Sequence, residues 1–295
     1  GNFYHPAGTP HNPWNLDHTP GGSSSGSGAS VAAGLVFGSM GSCTGGSIRG
    51  PASHCSVVGL KPTYGLVSRY GVFPLSWSLD HAGPLTRTVE DCAMMLGAVA
   101  GYDAKDPSSA RVRLSDYTAG LDGNIRGMRI GVPRELNEGM NEDVATLIRT
   151  AISVLRELGA FVEEVAVPVT GDYATVSGNV ITWSEAAQVH APWTDQLDDY
   201  TAGVRGKVLI GLATPSAQYH KAQVMRRLVQ DELSEALKKY DVLVGPVMGS
   251  PPGPIQTQPG AGGGAGSAAV RMASGRSFTR PYNITGQPAI SVPCG

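Results

Sequence analysis

Two adjacent glycines, Gly45 and Gly46, lie inside a run of small and apolar residues, "GSCTGGSIRG" at 41–50. A glycine pair lets the backbone turn tightly and aim its N–H groups at something small. Ser47 follows at once. A serine in that place is either a nucleophile or an N-cap for the next helix, and capping is the commoner use. A second glycine–serine run, "TPGGSSSGSGASVAAG" at 19–34, passes straight into apolar residues with no polar spacer. Flexible linkers are not embedded in this way, so an ordered loop with inward-facing serines is expected.

Glycine-rich loops serve several chemistries. A phosphate-binding loop needs Gly-Lys-Ser/Thr, and no lysine occurs between Gly1 and Gly50. A dinucleotide fingerprint needs a third glycine, and Gly26-Ser27-Gly28-Ala29-Ser30-Val31 has valine there. "GSSSG" at 22–26 fits a nucleophile elbow centred on Ser24. That elbow requires a preceding strand, which "NLDHTPGG" does not provide.

The chain has 295 residues, 41% hydrophobic and 16% charged, which suits a folded protein with a large core. A net charge of −2 gives no reason to expect nucleic acid or an anionic membrane as partner. No apolar run reaches membrane-span length and no leader pattern opens the sequence, so a cytoplasmic location is expected. Cys43, Cys55, Cys92 and Cys294 form no CxxC pair, and free thiols are expected, with no metal and no cofactor.

Periodicity predicts strands alternating with helices. A small-residue buried helix is expected over 29–39, and short strands or irregular core over 56–60 and 66–73. Thr88 with Asp91 forms a capping box opening a helix. "MRIGVP" (128–133) reads as a strand. Asn141 caps a helix running to Leu158, with Gly159 as its stop. "FVEEVAVP" (161–168) alternates as a strand, and a charged amphipathic helix covers about 216–240. "DVLVGPV" (241–247) and "AISVP" (289–293) are strands, and 258–270 reads as a surface loop. The class is therefore α/β.

Taken in order, "TPGGSSSGSGASVAAG", "GSCTGGSIRGPASHCSVVGLKPTYGLVSRYG" and "SLDHAGPLTRTVEDCAMML" strongly resemble the amidase signature family, as does "NITGQPAISVPCG" at 283–295. The resemblance is concentrated in residues 12–101 and implies a mixed twisted β-sheet covered by helices on both faces. It implies one amidase signature domain over 1–295, incomplete at both ends. Members hydrolyse amides with a Ser–cisSer–Lys triad. By position, Ser47 matches the nucleophile and Ser23, the first serine after Gly21-Gly22, matches the bridging serine. Thr44, Gly45 and Gly46 match the oxyanion loop. A serine hydroxyl needs a base, and a desolvated lysine relayed through a second serine can act as one. Preformed N–H donors at the oxyanion are worth about 3 kcal/mol each.

Three departures stand out. The family's triad lysine lies upstream of these loops, whereas the first lysine here is Lys61, downstream of Ser47. The chain is therefore read as an internal fragment whose lysine comes from another segment of the polypeptide. Cys43 stands where the family usually has aspartate, and a thiol is not expected to supply that residue's hydrogen bonding or charge. A nucleophilic Cys43 with His54 as base is the competing assignment. Ser25 stands where glycine is usual. Arg49 is expected to pair with a carboxylate, Asp80 being the candidate. Trp183, Trp193 and Tyr219 read as core or rim packing, and His190 and His220 as surface helix residues.

The implied function is a free-standing serine hydrolase of a small-molecule amide, or a related ester or carbamate, through an acyl-enzyme. A homodimer is compatible with it. The alternative is the A subunit of a tRNA-dependent amidotransferase, releasing ammonia from glutamine for a partner protein. Cys43 and the glycine-rich 258–270 stretch favour the free-standing enzyme at this stage.

Overall fold

A computed structural model describes residues 8–255 and 277–295. The 258–270 stretch lies outside the described residues. The described strands form two sheets. One is antiparallel, with strands β1 (Gly38–Cys43), β2 (Val58–Lys61), β3 (His81–Thr86) and β7 (Ala289–Ser291) in the order β1-β3-β2-β7. The other is parallel, with β4 (Arg129–Pro133), β5 (Phe161–Val165) and β6 (Val242–Leu243) in the order β5-β4-β6. The parallel strands need helical crossovers, and the long helices supply them.

Helix α1 (Ser25–Ala32) is not the 29–39 helix expected. It begins inside the serine run and stops before Gly34, whose φ of 72° ends the right-handed path. Leu35, Val36 and Phe37 are exposed rather than buried. The serines bond to their surroundings as part of this helix start. Ser27 Oγ donates to Met40 O (2.9 Å), and Ser24 Oγ bridges the amide and carbonyl of Ser42 on β1 (3.2 Å each).

The capped helices start where their signals stand. Thr88 accepts from Asp91 N (3.0 Å) at the head of α3 (Val89–Val99). Asn141 accepts from Asp143 N (2.7 Å) at the head of α4 (Glu142–Glu157), and Gly159 (φ 93°) ends that segment. Residues 66–73 form no strand, only an isolated bridge from Val67 to Ala100.

Helices α5 (Pro168–Val189), α6 (Ala202–Leu212) and α7 (Ser216–Leu237) pack together. Ala174 and Ile181 of α5 form one core with Ala222, Val229 and Leu233 of α7, joined by Leu79 and Ile284. Trp183 is buried, Trp193 is exposed, and the Tyr219 hydroxyl donates to Glu185 (2.9 Å). His190 is not a surface residue: it is buried, with Nδ1 hydrogen-bonded to the Tyr200 hydroxyl (2.9 Å). The short helix α8 (Arg280–Ile284) sits against α5 and α7. Arg226 on α7 holds its end, donating to Ile284 O (2.5 Å) and Ser78 O (3.1 Å).

Candidate active site

Strand β1 delivers the glycine turn. It ends at Cys43, opposite His81 on β3, and residues 44–48 then lead into α2 (Arg49–His54). Each residue of the turn is anchored. Thr44 Oγ1 donates to Asp80 Oδ1 (2.5 Å), and the other carboxylate oxygen accepts from Leu75 N (2.8 Å) and Ser76 N (2.9 Å). Gly45 O accepts from Thr279 Oγ1 (2.6 Å) and Gly46 O from Gly50 N (2.8 Å). Ser47 O accepts from Ser24 N (3.2 Å), joining the turn to the first serine loop. The Gly22–Ser23 peptide bond in that loop is cis.

The carbonyls of Gly45, Gly46 and Ser47 are thus occupied. The N–H groups of Thr44, Gly45, Gly46 and Ser47 make no hydrogen bond to a described residue. An anion or a polarised oxygen is what such a row of N–H groups accommodates. Ser47 does not serve as a cap: the N-cap of α2 is Ile48, with no side-chain capping bond. Ser47 is half-buried and Ser23 exposed among the described residues.

No side chain fits at either glycine. Gly46 has φ 146°, and a Cβ there would run into Thr279. A Cβ on Gly45 would lie 2.7 Å from the Arg280 guanidinium carbon. Thr279 and Arg280 therefore form the far wall of the turn. Sequence reasoning did not single out either residue, because no local pattern ties them to a turn more than 230 positions earlier.

Behind the turn lies a buried polar cluster. Arg49 does not pair with Asp80. It donates to Asn283 Oδ1 (2.6 Å) and Thr279 O (3.0 Å), with Cys43 Sγ at 3.8 Å. Asp80 is instead taken up by Thr44 and two backbone amides, and its carboxyl is raised by burial against those bonds. Asn283 Nδ2 donates to Cys43 O (2.8 Å) and reaches Cys43 Sγ (3.5 Å).

Burial alone would raise the Cys43 thiol. The adjacent Arg49 charge, the Ile48 N–H and the Asn283 amide outweigh it and hold the thiol below its usual range. The sulfur thus lies within reach of the Arg49 guanidinium and the Asn283 amide. The structure does not pair Cys43 with His54. Cys43 is fully buried on Arg49 and Asn283, while both His54 ring nitrogens lack a partner among the described residues. Lys61 is fully buried, bonds to Pro62 O (3.1 Å), and is pushed down to about 7 by burial and then by Arg49. It bonds to neither Ser23 nor Ser47. All four cysteines are free.

Among the described residues, no group of three or more His, Cys, Asp or Glu side chains converges as a metal site. No helix among them is long and apolar enough to cross a membrane.

This chain belongs to the amidase family, whose profile matches residues 3–295. Among its relatives is the A subunit of the glutamyl-tRNA(Gln) amidotransferase of Exiguobacterium sibiricum. The two are 43% identical over 309 residues, covering 96% of this chain and 63% of that one. The corresponding Bacillus cereus protein is 41% identical, with 96% and 62% covered. The crystal structure of the Thermotoga maritima counterpart superposes with a TM-score of 0.80 at 38% identity, covering 97% of this chain and 61% of that one. A bacterial aryl acylamidase superposes at 0.82 with 28% identity, covering 97% and 61%. The chain thus spans less than two thirds of the length of these relatives. The α/β architecture is the amidase signature fold.

Proposed function

We propose that the protein is the glutamine-hydrolysing A subunit of a tRNA-dependent amidotransferase, with Ser47 as nucleophile and Ser23 as proton relay. The reading rests on one observation above all: the turn has the carbonyls of Gly45, Gly46 and Ser47 tied down and the N–H groups of residues 44–47 left without a described acceptor. That arrangement suits an oxyanion forming on a carbonyl attacked by the adjacent Ser47 hydroxyl. Ser47 Oγ attacks the amide carbon while its proton passes to Ser23, which hands its own to the triad lysine. That proton returns through Ser23 to the amide nitrogen, and the C–N bond breaks to release ammonia. Water, deprotonated by the same relay, hydrolyses the acyl-enzyme and returns the proton to Ser47. The triad lysine comes from a segment of the polypeptide outside these 295 residues, as the family pattern requires.

The relatives of highest identity described above are amidotransferase components, which supports this role over a free-standing hydrolase. The Cys43 argument for the free-standing enzyme loses force, because the sulfur is a buried partner of Arg49 and Asn283. The aryl acylamidase keeps the hydrolase as a second reading.

Full-length wild type and Ser47→Ala would be assayed for ammonia release from glutamine, with an aryl amide in parallel. The proposal expects glutamine turnover that falls by roughly four orders of magnitude or more in the variant. Undiminished turnover in Ser47→Ala contradicts the nucleophile assignment. Turnover of the aryl amide alone supports the hydrolase.

A further inference from the structure

Arg280 stands in an unusual setting. Its stem crosses Gly178 on α5, where a Cβ would collide with it, and its guanidinium lies over Gly45 in the turn. Nη1 donates to Thr182 Oγ1 (3.0 Å) and Gly178 O (3.3 Å). Nε is buried and has no partner among the described residues. No aspartate or glutamate lies within ion-pair distance of it among the described residues. The remaining residues, 1–7 and 256–276, contain no aspartate or glutamate. Arg280 as a residue is half-buried, with its guanidinium over the turn that carries Ser47.

A cation held out of water without a carboxylate is costly unless something anionic arrives. The cost shows in its own acidity: burial pushes the Arg280 guanidinium down to about 10. A guanidinium suits a planar carboxylate, which it engages through two parallel N–H bonds.

We propose that Arg280 is a specificity-determining residue that binds a carboxylate of the substrate, so that the site selects amides carrying an anionic group near the scissile carbonyl. Its position over Gly45 places that contact beside the oxyanion turn. The inference rests on the reading of residues 44–47 as that turn, and glutamine is one member of the substrate class it defines.

The test uses full-length protein with Arg280→Met and Arg280→Lys. KM and kcat would be measured for glutamine and succinamate, which carry a carboxylate, and for butyramide, which does not. Arg280→Met is expected to raise KM for the carboxylate amides about 100-fold, the usual scale for removing one partner of a desolvated charge pair. Arg280→Met also loses the bonds to Thr182 and Gly178, so butyramide turnover falls too, but the loss on the carboxylate amides exceeds it by about tenfold or more in kcat/KM. Arg280→Lys, which keeps the charge and loses the fork, should fall between. Equal losses on charged and neutral amides would show that Arg280 only props the turn and would overturn the proposal, as would an unchanged KM for both carboxylate amides. If Arg280→Met does not fold, the same split in Arg280→Lys decides. Should glutamine not be turned over while succinamate is, the amidotransferase reading fails and the Arg280 split is still read on succinamate.

Discussion

Gly59 in β2 and Gly206 in α6 are the same residue in opposite surroundings. A Cβ on Gly59 would lie 2.5 Å from the Ala52 side chain and 3.2 Å from the Ile48 carbonyl. A Cβ on Gly206 would meet nothing within 4 Å. Two strands show the same contrast. All six residues of β3, at the centre of the antiparallel sheet, are buried, whereas β5 in the parallel sheet has no buried residue. The antiparallel sheet and α2 carry the Ser47 turn, and their backbones approach too closely for side chains. Room is left only at β5 and on the outer face of α6, since a Cβ on Gly131 of β4 would lie 2.7 Å from Leu243 and one on Gly211 of α6 would run into Trp183 O. Close backbone packing fixes the turn's geometry in the first region, while open positions such as Gly206 tolerate change.

The comparison breaks if substitutions in the two regions behave alike. The largest effect is expected from Gly59→Ala, whose methyl group has to displace α2. Overpacking of this kind costs about 3 kcal/mol, read as a fall in the urea midpoint of the full-length protein.

A smaller effect comes from His81, buried on β3 with Nδ1 bonded to Leu79 O (2.7 Å). Burial, reinforced by the nearby Lys61 charge, lowers it to about 2. Because the folded value is depressed, the unfolded chain takes up the proton first. The stability is fully present above the unfolded value near 6.5 and is lost as pH falls below it. At pH 5 the loss is about 2 kcal/mol. Unfolding free energies at pH 7.5 and 5 would be compared in wild type and His81→Gln, and the variant should show a pH difference smaller by about that amount.

The smallest effect has the opposite sign. Gly206→Ala should stabilise the protein by about 1 kcal/mol, because alanine is the better helix former and nothing obstructs the new methyl. A loss of stability there would mean that the outer face of α6 is packed as closely as the site.

What could be read from the sequence follows the same division. Thr88 and Asn141 are local signals, and α3 and α4 begin at them. Helix α5 escaped detection because it is buried around much of its circumference, at Thr170, Gly171, Ala174, Ser177, Gly178 and Ile181 among others. Such a helix has no single apolar stripe to betray its period. Strand β3, "HAGPLT", escaped for a related reason. Burial on both faces erases alternation, and Pro84 argues against a central strand. The β2–β3 ladder ends at Leu85, one residue short of that proline.

The site divides likewise. Ser23 and the residues of the 44–47 turn stood out in contiguous motifs. Asn283 and Thr279, which pin the turn, are distant in sequence, and only the fold brings them in. Arg49 was noticed but given the wrong partner, since its geometry depends on Asn283.

The central claim is that Ser47 bears the attacking oxygen beside a row of available backbone N–H groups. The most direct measurement is to treat the full-length protein with a fluorophosphonate and locate the adduct by peptide mass spectrometry. The account predicts one adduct on Ser47, formed more slowly in Ser23→Ala and absent in Ser47→Ala. Label on Cys43, or equal labelling of Ser47 with and without the Ser23 hydroxyl, would contradict it.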